Sequence, residues 1–309
     1  MRILKCALIA LILSVSFMQY IAIAQDGAGE RRGRLRAFLK KRQSQREVSS
    51  ITKKLDISYS SDADPLKKLD VYIPEKGTFK FPVLIHIHGG GWKMGDKSRT
   101  EEHGRFYATR GILFVSINYR LSPDVQHPVH AQDCADAVAW VFAHLDELGG
   151  DENRVFISGH SAGAHLAALL AIDSGYLQQY GLQPKKFAGV IPVDTASFDL
   201  IAASNEKLVK RFIEEAFGTD PEVLKSASPL YNISKDSVYP KFLIFASGNR
   251  EPAIAQSKEL TNALKSAGGS AHLLIVKNHT HRDMNMGMYN ADDPVGSAIL
   301  KFILGTDSL

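Results

Sequence analysis

The amino-acid sequence predicts an α/β fold with a mostly parallel eight-stranded sheet and helices on both of its faces. Three observations support this prediction. Strand-like and helix-like segments alternate along most of the 309 residues, which is typical of parallel sheets whose strands are joined by helices. Two glycine-rich motifs each follow a buried strand. Finally, 45% of the residues are hydrophobic and 23% are charged, which is enough for one substantial core in a single domain.

Eight segments have the composition of strands, since each is rich in β-branched, aromatic or other apolar residues. Two leading strands are expected near residues 57–60 and 69–73. The other six are expected at 83–87, 113–117, 155–158, 189–193, 242–246 and 272–276. Helices fit the apolar spacing of residues 100–109, 131–148, 162–172, 254–266 and 295–304. The interval 196–240 is too long for a typical connection, and its amphipathic part at 206–217 suggests a small cap.

One motif predicts a nucleophile. Ser161 lies in Gly159-His160-Ser161-Ala162-Gly163, between the predicted strand 155–158 and the predicted helix 162–172. A serine at a sharp strand-to-helix turn needs small residues two positions away on each side, because larger side chains would collide with the backbone. Ser161 is therefore the first candidate for a catalytic residue.

A second motif predicts a backbone anion site. His88-Gly89-Gly90-Gly91-Trp92 follows the strand expected at 83–87. Glycines let a loop present its N–H groups closely to a developing negative charge. Both motifs fall at the carboxyl ends of predicted parallel strands, where open α/β sheets bind their ligands.

With these motifs the chain resembles the α/β-hydrolase family, in particular bacterial carboxylesterases similar to hormone-sensitive-lipase-like esterases, kynurenine formamidases and feruloyl or acetyl-xylan esterases. The resemblance extends over about residues 55–304. It also includes Leu69-Asp70-Val71-Tyr72-Ile73-Pro74, Asn118-Tyr119-Arg120-Leu121-Ser122-Pro123 and Gly149-Gly150-Asp151. The implied fold is the α/β-hydrolase fold, and the implied chemistry is acyl transfer by a serine without a cofactor or metal.

The resemblance also implies the acid and the base that activate Ser161. The family usually has an aspartate three residues after a glycine beyond the strand at 242–246, and Glu251 occupies that position. Asp194, after the preceding strand, is the alternative acid. The family register selects His281 as the base, with His279 as the alternative. Gly90, Gly91 and Ala162 are implied to donate their backbone N–H groups to the oxyanion.

Three other interpretations were weighed. A metal site at His86 and His88 is one, but no aspartate–histidine pair follows at ligand spacing. His160 and His165 are the only obvious candidates for further ligands. The run 90–98 imitates a phosphate-binding loop, but Asp96 interrupts the required Gly-Lys-Ser order. A non-catalytic binding module on the same fold remains a remoter alternative.

The first 24 residues have the pattern of a secretory signal peptide. Arg2 and Lys5 precede an apolar stretch that ends in Ala22-Ile23-Ala24, so we expect cleavage after Ala24 and export of the protein. An uncleaved membrane anchor is the alternative. Cleavage would remove Cys6 and leave Cys134 as the only cysteine, so no internal disulfide is expected.

The segment 25–50 is basic, with eight lysines and arginines against three acidic residues, whereas residues 51–309 have a net charge of −3. The segment is expected to be a flexible spacer that can contact an anionic surface. The catalytic domain is expected at 51–309, and its charge gives no support to nucleic-acid binding. The expected substrates are small or cell-wall polysaccharide-linked esters with short or aromatic acyl groups. An arylformamidase-type amidase is the alternative activity.

Overall fold

Eight strands form one sheet in the part of the chain that the computed structural model describes, residues 51–75 and 80–306. The strands are β1 Ile51–Ser58, β2 Lys68–Pro74, β3 Phe81–Ile87, β4 Leu113–Ile117, β5 Gly150–His160, β6 Phe187–Val193, β7 Lys241–Ser247 and β8 Ala271–Val276. Their order is β1-β2-β4-β3-β5-β6-β7-β8. The pairs β1–β2 and β2–β4 are antiparallel, and the other neighbouring pairs are parallel. The predicted mostly parallel, eight-stranded sheet is confirmed.

Helices connect the strands and cover the sheet. In the described residues they are α1 Glu101–Ala108, α2 Val129–Ala143, α3 Leu145–Leu148, α4 Ala162–Ile172, α5 Gly175–Gln178, α6 Leu200–Ala203, α7 Lys207–Phe217, α8 Pro221–Ser226, α9 Glu251–Ser266, α10 His281–Gly287 and α11 Pro294–Leu304. None of them is long and apolar enough to cross a bilayer. The predicted signal peptide (1–24) and basic segment (25–50) lie outside the described residues.

The two faces of the sheet bury two separate cores. Successive side chains of a strand point to opposite faces. On β3, Ile85 and Ile87 accordingly join one core with residues of α2 and α4, while Leu84 joins a second core with residues of α1 and α11. Every residue of α4 is buried. The helix that follows the predicted nucleophile is thus held rigidly from all sides.

Some elements differ from their predicted bounds. β1 starts at Ile51, well before the expected 57–60, because it is an edge strand whose mostly exposed polar residues carry little hydrophobic signal. The helix expected at 131–148 is interrupted at His144. α10 was not predicted, since its signal is a capping box between Thr280 and Asp283 and not an apolar stripe. The interval 196–240 forms α6, α7, α8 and a 3₁₀ turn at Pro229–Asn232.

Candidate active site

The carboxyl ends of neighbouring strands bring the predicted site residues together. The order β3-β5-β6-β7-β8 places the loops after these strands side by side along one edge of the sheet. A cavity of about 290 Å³ opens there, and both Ser161 and His281 line it. A larger cavity, of about 730 Å³, is lined by residues such as Tyr59 and Trp140 and by none of the predicted catalytic side chains. The smaller cavity is therefore the candidate active site.

Ser161 stands at a strained turn between β5 and α4. Its φ of 57° and ψ of −120° are unusual for a residue with a side chain, and its N–H donates to the Val193 carbonyl at 3.0 Å. A Cβ on Gly163 would lie 2.1 Å from the Ile87 carbonyl oxygen, and one on Gly159 would lie 2.3 Å from the Gly163 carbonyl. The requirement for glycine on both sides of the serine is confirmed by these close approaches.

His281 begins α10, and two partners hold it. Its Nδ1 lies 2.6 Å from Oδ2 of Asp194, and its carbonyl oxygen lies 2.9 Å from Nε2 of His160. The His160 and His281 rings are 4.3 Å apart, centroid to centroid. Because a carboxylate only accepts hydrogen bonds, Nδ1 of His281 carries the proton and Nε2 is left to accept one. This is the tautomer that a general base for a serine requires.

Asp194 directly follows β6 and is completely buried. Its Oδ1 accepts hydrogen bonds from the backbone N–H of Ser247 at 2.8 Å and from the Ser247 hydroxyl at 2.9 Å. Burial alone would raise the pKa of Asp194. The hydrogen bonds from His281 and Ser247 and the charge of Arg250 outweigh burial and hold this pKa well below its usual range. Asp194 is therefore ionised in the folded protein.

The structure does not bring Glu251, the predicted acid, into contact with His281. Glu251 is exposed at the start of α9, and no hydrogen bond joins it to His281 within the described residues. The turn after β7 directs Arg250, the residue before Glu251, towards the site. The alternative, Asp194, makes the contact. An aspartate at the end of the buried strand next to the nucleophile strand was the sequence signal for it.

His279 has a different partner and does not compete with His281. Its Nε2 lies 2.9 Å from Oδ2 of Asp293, which caps α11. The hydrogen bond to Asp293 raises the pKa of His279. The register predicted from the resemblance, with His281 at the site, agrees with this arrangement.

The glycine loop has the geometry of an anion site. Gly90 and Gly91 have φ values of 124° and 61°, and a Cβ on Gly90 would lie 1.9 Å from the Met94 carbonyl oxygen. Within residues 51–75 and 80–306, the backbone N–H groups of Gly90, Gly91 and Ala162 donate no hydrogen bond. His88 Nδ1 donates to the Gly89 carbonyl at 2.9 Å and so braces the loop.

The helix α7 lies against this loop. Lys93 Nζ and Glu215 Oε2 form an ion pair at 2.6 Å, and the Trp92 and Phe217 rings meet edge to face at 4.9 Å. Trp92 is buried and donates from Nε1 to His165 Nδ1 at 3.3 Å, so its role is packing. α7 therefore fixes the loop that would bind the oxyanion.

Two groups of residues near the site could be considered as metal ligands, and both have other partners. His160, Asp194 and His281 bring three possible ligand atoms within 4.8 Å of one another, but the guanidinium of Arg250 lies against both Asp194 and His281. A second cation at this position would be repelled. His86, considered above for a metal, instead hydrogen-bonds Ser158 Oγ through Nδ1 at 3.0 Å.

The sheet topology and the turn at Ser161 define an α/β-hydrolase. A family model described as BD-FAE matches residues 69–264, and the chain belongs to that family. It is 30% identical over 237 residues to esterase LipQ of Mycobacterium tuberculosis (strain ATCC 25618 / H37Rv), covering 72% of this chain and 55% of that protein. It is 28% identical over 235 residues to a probable isoprenylcysteine alpha-carbonyl methylesterase of Oryza sativa subsp. japonica, covering 71% of this chain and 56% of that protein. The chain thus spans about half the length of the curated relatives it matches.

Solved structures share the fold. Esterase B from Lactobacillus Rhamnosis superposes with a TM-score of 0.70 at 20% identity, covering 88% of this chain and 93% of that one. A truncated carbohydrate esterase from gut microbiota also has a TM-score of 0.70, at 21% identity, covering 84% of this chain and 96% of that one. The predicted α/β-hydrolase fold is confirmed.

Proposed function

We propose that this protein is a serine carboxylesterase that hydrolyses short-chain or aromatic acyl esters. One observation carries the proposal. Ser161, at a strained turn, lines the same cavity as His281, and His281 is held as a base by the buried carboxylate of Asp194. The esterase and methylesterase names of the relatives support ester bonds as the substrate.

The proposed reaction has two halves. His281 Nε2 takes the proton of the Ser161 hydroxyl as Oγ attacks the ester carbonyl, and the carbonyl oxygen becomes negative. The N–H groups of Gly90, Gly91 and Ala162 stabilise that oxygen. The imidazolium then protonates the departing alcohol, which leaves Ser161 acylated. In the second half, a water molecule gives a proton to His281 and its oxygen attacks the acyl carbon. The imidazolium then returns the proton to Ser161 Oγ, which releases the carboxylic acid. Asp194 stays ionised and stabilises the imidazolium throughout.

The size of the cavity supports small acyl groups. About 290 Å³ is at the lower end of ligand sites and suits an acetyl, butyryl or hydroxycinnamoyl group. The outer face of α7 carries ion-paired charges such as Lys210 with Glu214, which do not suit a lipid surface. The alcohol part of the ester is proposed to be a soluble compound or a cell-wall polysaccharide.

The site of action is proposed from the first 24 residues. Their signal-peptide pattern supports export and cleavage after Ala24. An exported enzyme would meet cell-wall esters directly.

Parallel assays test this function. The purified protein should hydrolyse p-nitrophenyl acetate and butyrate, and a chelator should leave the rate unchanged. Ser161→Ala should lose the activity, whereas Ser174→Ala, at an exposed residue just beyond the C-terminal end of α4, should keep it. N-formylkynurenine, measured alongside, would favour the arylformamidase activity if its specificity constant were the higher one. Full ester hydrolysis by Ser161→Ala would contradict the proposal.

A further inference from the structure

Arg250 contacts both members of the acid–base pair with one nitrogen. Its Nη1 lies 2.9 Å from Asp194 Oδ2, 3.1 Å from the Asp194 carbonyl oxygen and 2.8 Å from His281 Nδ1. Arg250 ends the turn after β7, next to Glu251, where the resemblance had implied the acid. In this chain the β6 turn supplies the carboxylate and the β7 turn supplies a cation.

The positions of the protons determine which of these contacts are hydrogen bonds. Asp194 Oδ2 only accepts, so the nitrogen of His281 that lies 2.6 Å from it must carry a proton. A guanidinium only donates. The 2.8 Å approach of Arg250 to the protonated Nδ1 is therefore not a hydrogen bond, and the hydrogen bonds of Nη1 go to the two oxygens of Asp194. The positive charge nevertheless lies directly beside the imidazole.

The first consequence concerns the conformation of Asp194. This residue has a φ of 52°, which costs about 1 kcal/mol or more for a residue with a side chain. Arg250 bridges its carbonyl oxygen and its carboxylate, while Ser247 holds the other carboxylate oxygen. Arg250 thus fixes the main chain and the side chain of Asp194 relative to each other.

The second consequence concerns the charge on His281. The groups that face its ring are Asp194, Arg250 and His160. Burial lowers the pKa of His160 to about 3, so His160 is neutral. Of the charged groups lining the cavity, Asp96 and Arg99 belong to the loop after β3. Among the described residues, the charges in direct contact with His281 are therefore one carboxylate and one guanidinium, and the guanidinium disfavours an imidazolium.

We propose that Arg250 is a positioning residue that orients Asp194 towards His281, and that its positive charge beside the imidazole extends the activity of this pair to lower pH. This inference rests on the proposed esterase activity. It predicts two separable effects of changing Arg250, one on the maximal rate through geometry and one on the pH profile through charge.

Three substitutions separate these effects. Arg250→Lys keeps the charge, Arg250→Gln keeps a hydrogen-bond donor, and Arg250→Met keeps neither. The exposed Arg282→Gln, next to His281 in sequence but without a contact to its ring, is the matched control. The measurement is kcat/KM for p-nitrophenyl butyrate from pH 4.5 to 9, with urea unfolding of each variant to verify the fold.

The acidic limb of the profile should move to higher pH by about one unit in Arg250→Gln and Arg250→Met, which is about a tenfold change in proton affinity. It should stay in place in Arg250→Lys and Arg282→Gln. The maximal kcat/KM should fall by about 10- to 100-fold in Arg250→Met and less in Arg250→Gln. Folded variants whose limbs do not move, or an equal movement in Arg282→Gln, would overturn the inference. Ser161→Ala, measured in parallel, reports separately on the proposed function, because hydrolysis that survives this change does not come from this site.

Discussion

Asp194 Oδ2 lies 2.6 Å from His281 Nδ1, although 87 positions separate the two residues in the sequence. The sheet brings them together, because β6 ends beside the nucleophile strand β5 and α10 starts just beyond β8. The carboxylate that contacts His281 therefore follows the strand next to β5 and does not come from the turn after β7. Under the proposed function, the reaction depends on this carboxylate.

Replacing Asp194 should nearly abolish activity, while replacing Glu251 should not. Asp194→Asn keeps the shape of the side chain but removes the charge and the preference for the proton on Nδ1, so kcat should fall by about 10³- to 10⁴-fold. Glu251→Gln, on the exposed start of α9, should change kcat by less than about twofold. Steady-state kinetics on p-nitrophenyl butyrate compare the two. An inactive Glu251→Gln together with an active Asp194→Asn would restore Glu251 as the catalytic acid.

Gly163, in the turn between β5 and α4, should tolerate no side chain. A Cβ on Gly163 would meet the Ile87 carbonyl oxygen at 2.1 Å, so Gly163→Ala must displace a buried strand. We expect it to lower the free energy of unfolding by about 3 kcal/mol or more, or to prevent folding. Gly181→Ala is the control, since φ there is 70° but nothing lies within 4 Å of the added carbon. It should cost only about 1 kcal/mol.

Urea unfolding of both variants measures these differences. A soluble Gly163→Ala protein with a wild-type unfolding midpoint would show that the turn between β5 and α4 is less tightly packed than the distances indicate.

Stability should fall steeply below pH 6.5, because several buried histidines are neutral in the folded protein. Burial lowers the pKa of His103 and His130 to about 4, and of His160 and His165 to about 3. In the unfolded chain these groups titrate near 6.5, so the unfolded state binds more protons as the pH falls from about 6.5 to 4. Each such histidine lowers the free energy of unfolding by about 1.4 kcal/mol per pH unit in that range.

Urea unfolding at pH 7.5, 6.5 and 5.5 tests this pH dependence. The free energy of unfolding should fall by about 1 kcal/mol from pH 7.5 to 6.5, where the unfolded-state histidines become half protonated, and by several kcal/mol more by pH 5.5. His279 acts in the opposite direction, since its raised pKa favours folding below pH 6.5, but it is a single, more accessible group. His103→Phe should reduce the slope by about one proton. Equal stability at pH 7.5 and 5.5 would contradict the prediction.

The acyl-chain profile should peak at about two to four carbons. Each methylene that is buried can contribute about 0.8 kcal/mol, but a chain longer than the 290 Å³ cavity gains nothing from its further carbons. The specificity constants of p-nitrophenyl esters from acetate to laurate measure the profile. A rise that continues to twelve carbons, with activation at an oil–water interface, would indicate an unrecognised lipid-binding surface.

The sequence predicted the fold well, and it indicated Ser161 as the candidate nucleophile, because both have local signals. Ser161 lies between two glycines, and the buried strands are continuous apolar runs. The carboxylate that contacts His281 was harder to predict, because Asp194 and Glu251 both follow strands and only the direction of the β7 turn separates them. Arg250 carried no sequence signal, since an arginine in a loop is ordinarily a solvent-exposed charge. α10 was missed because its signal lies in a capping box.

The most direct test of the Ser161–His281–Asp194 site is the mass of the protein after reaction with a p-nitrophenyl alkylphosphonate, which imitates the tetrahedral state. We expect one adduct per chain, located on Ser161 by peptide mapping, with p-nitrophenol released in equal amount. Asp194→Asn should form the same adduct at least about a hundredfold more slowly. An adduct on another residue, or an unmodified chain that still hydrolyses esters, would contradict the account.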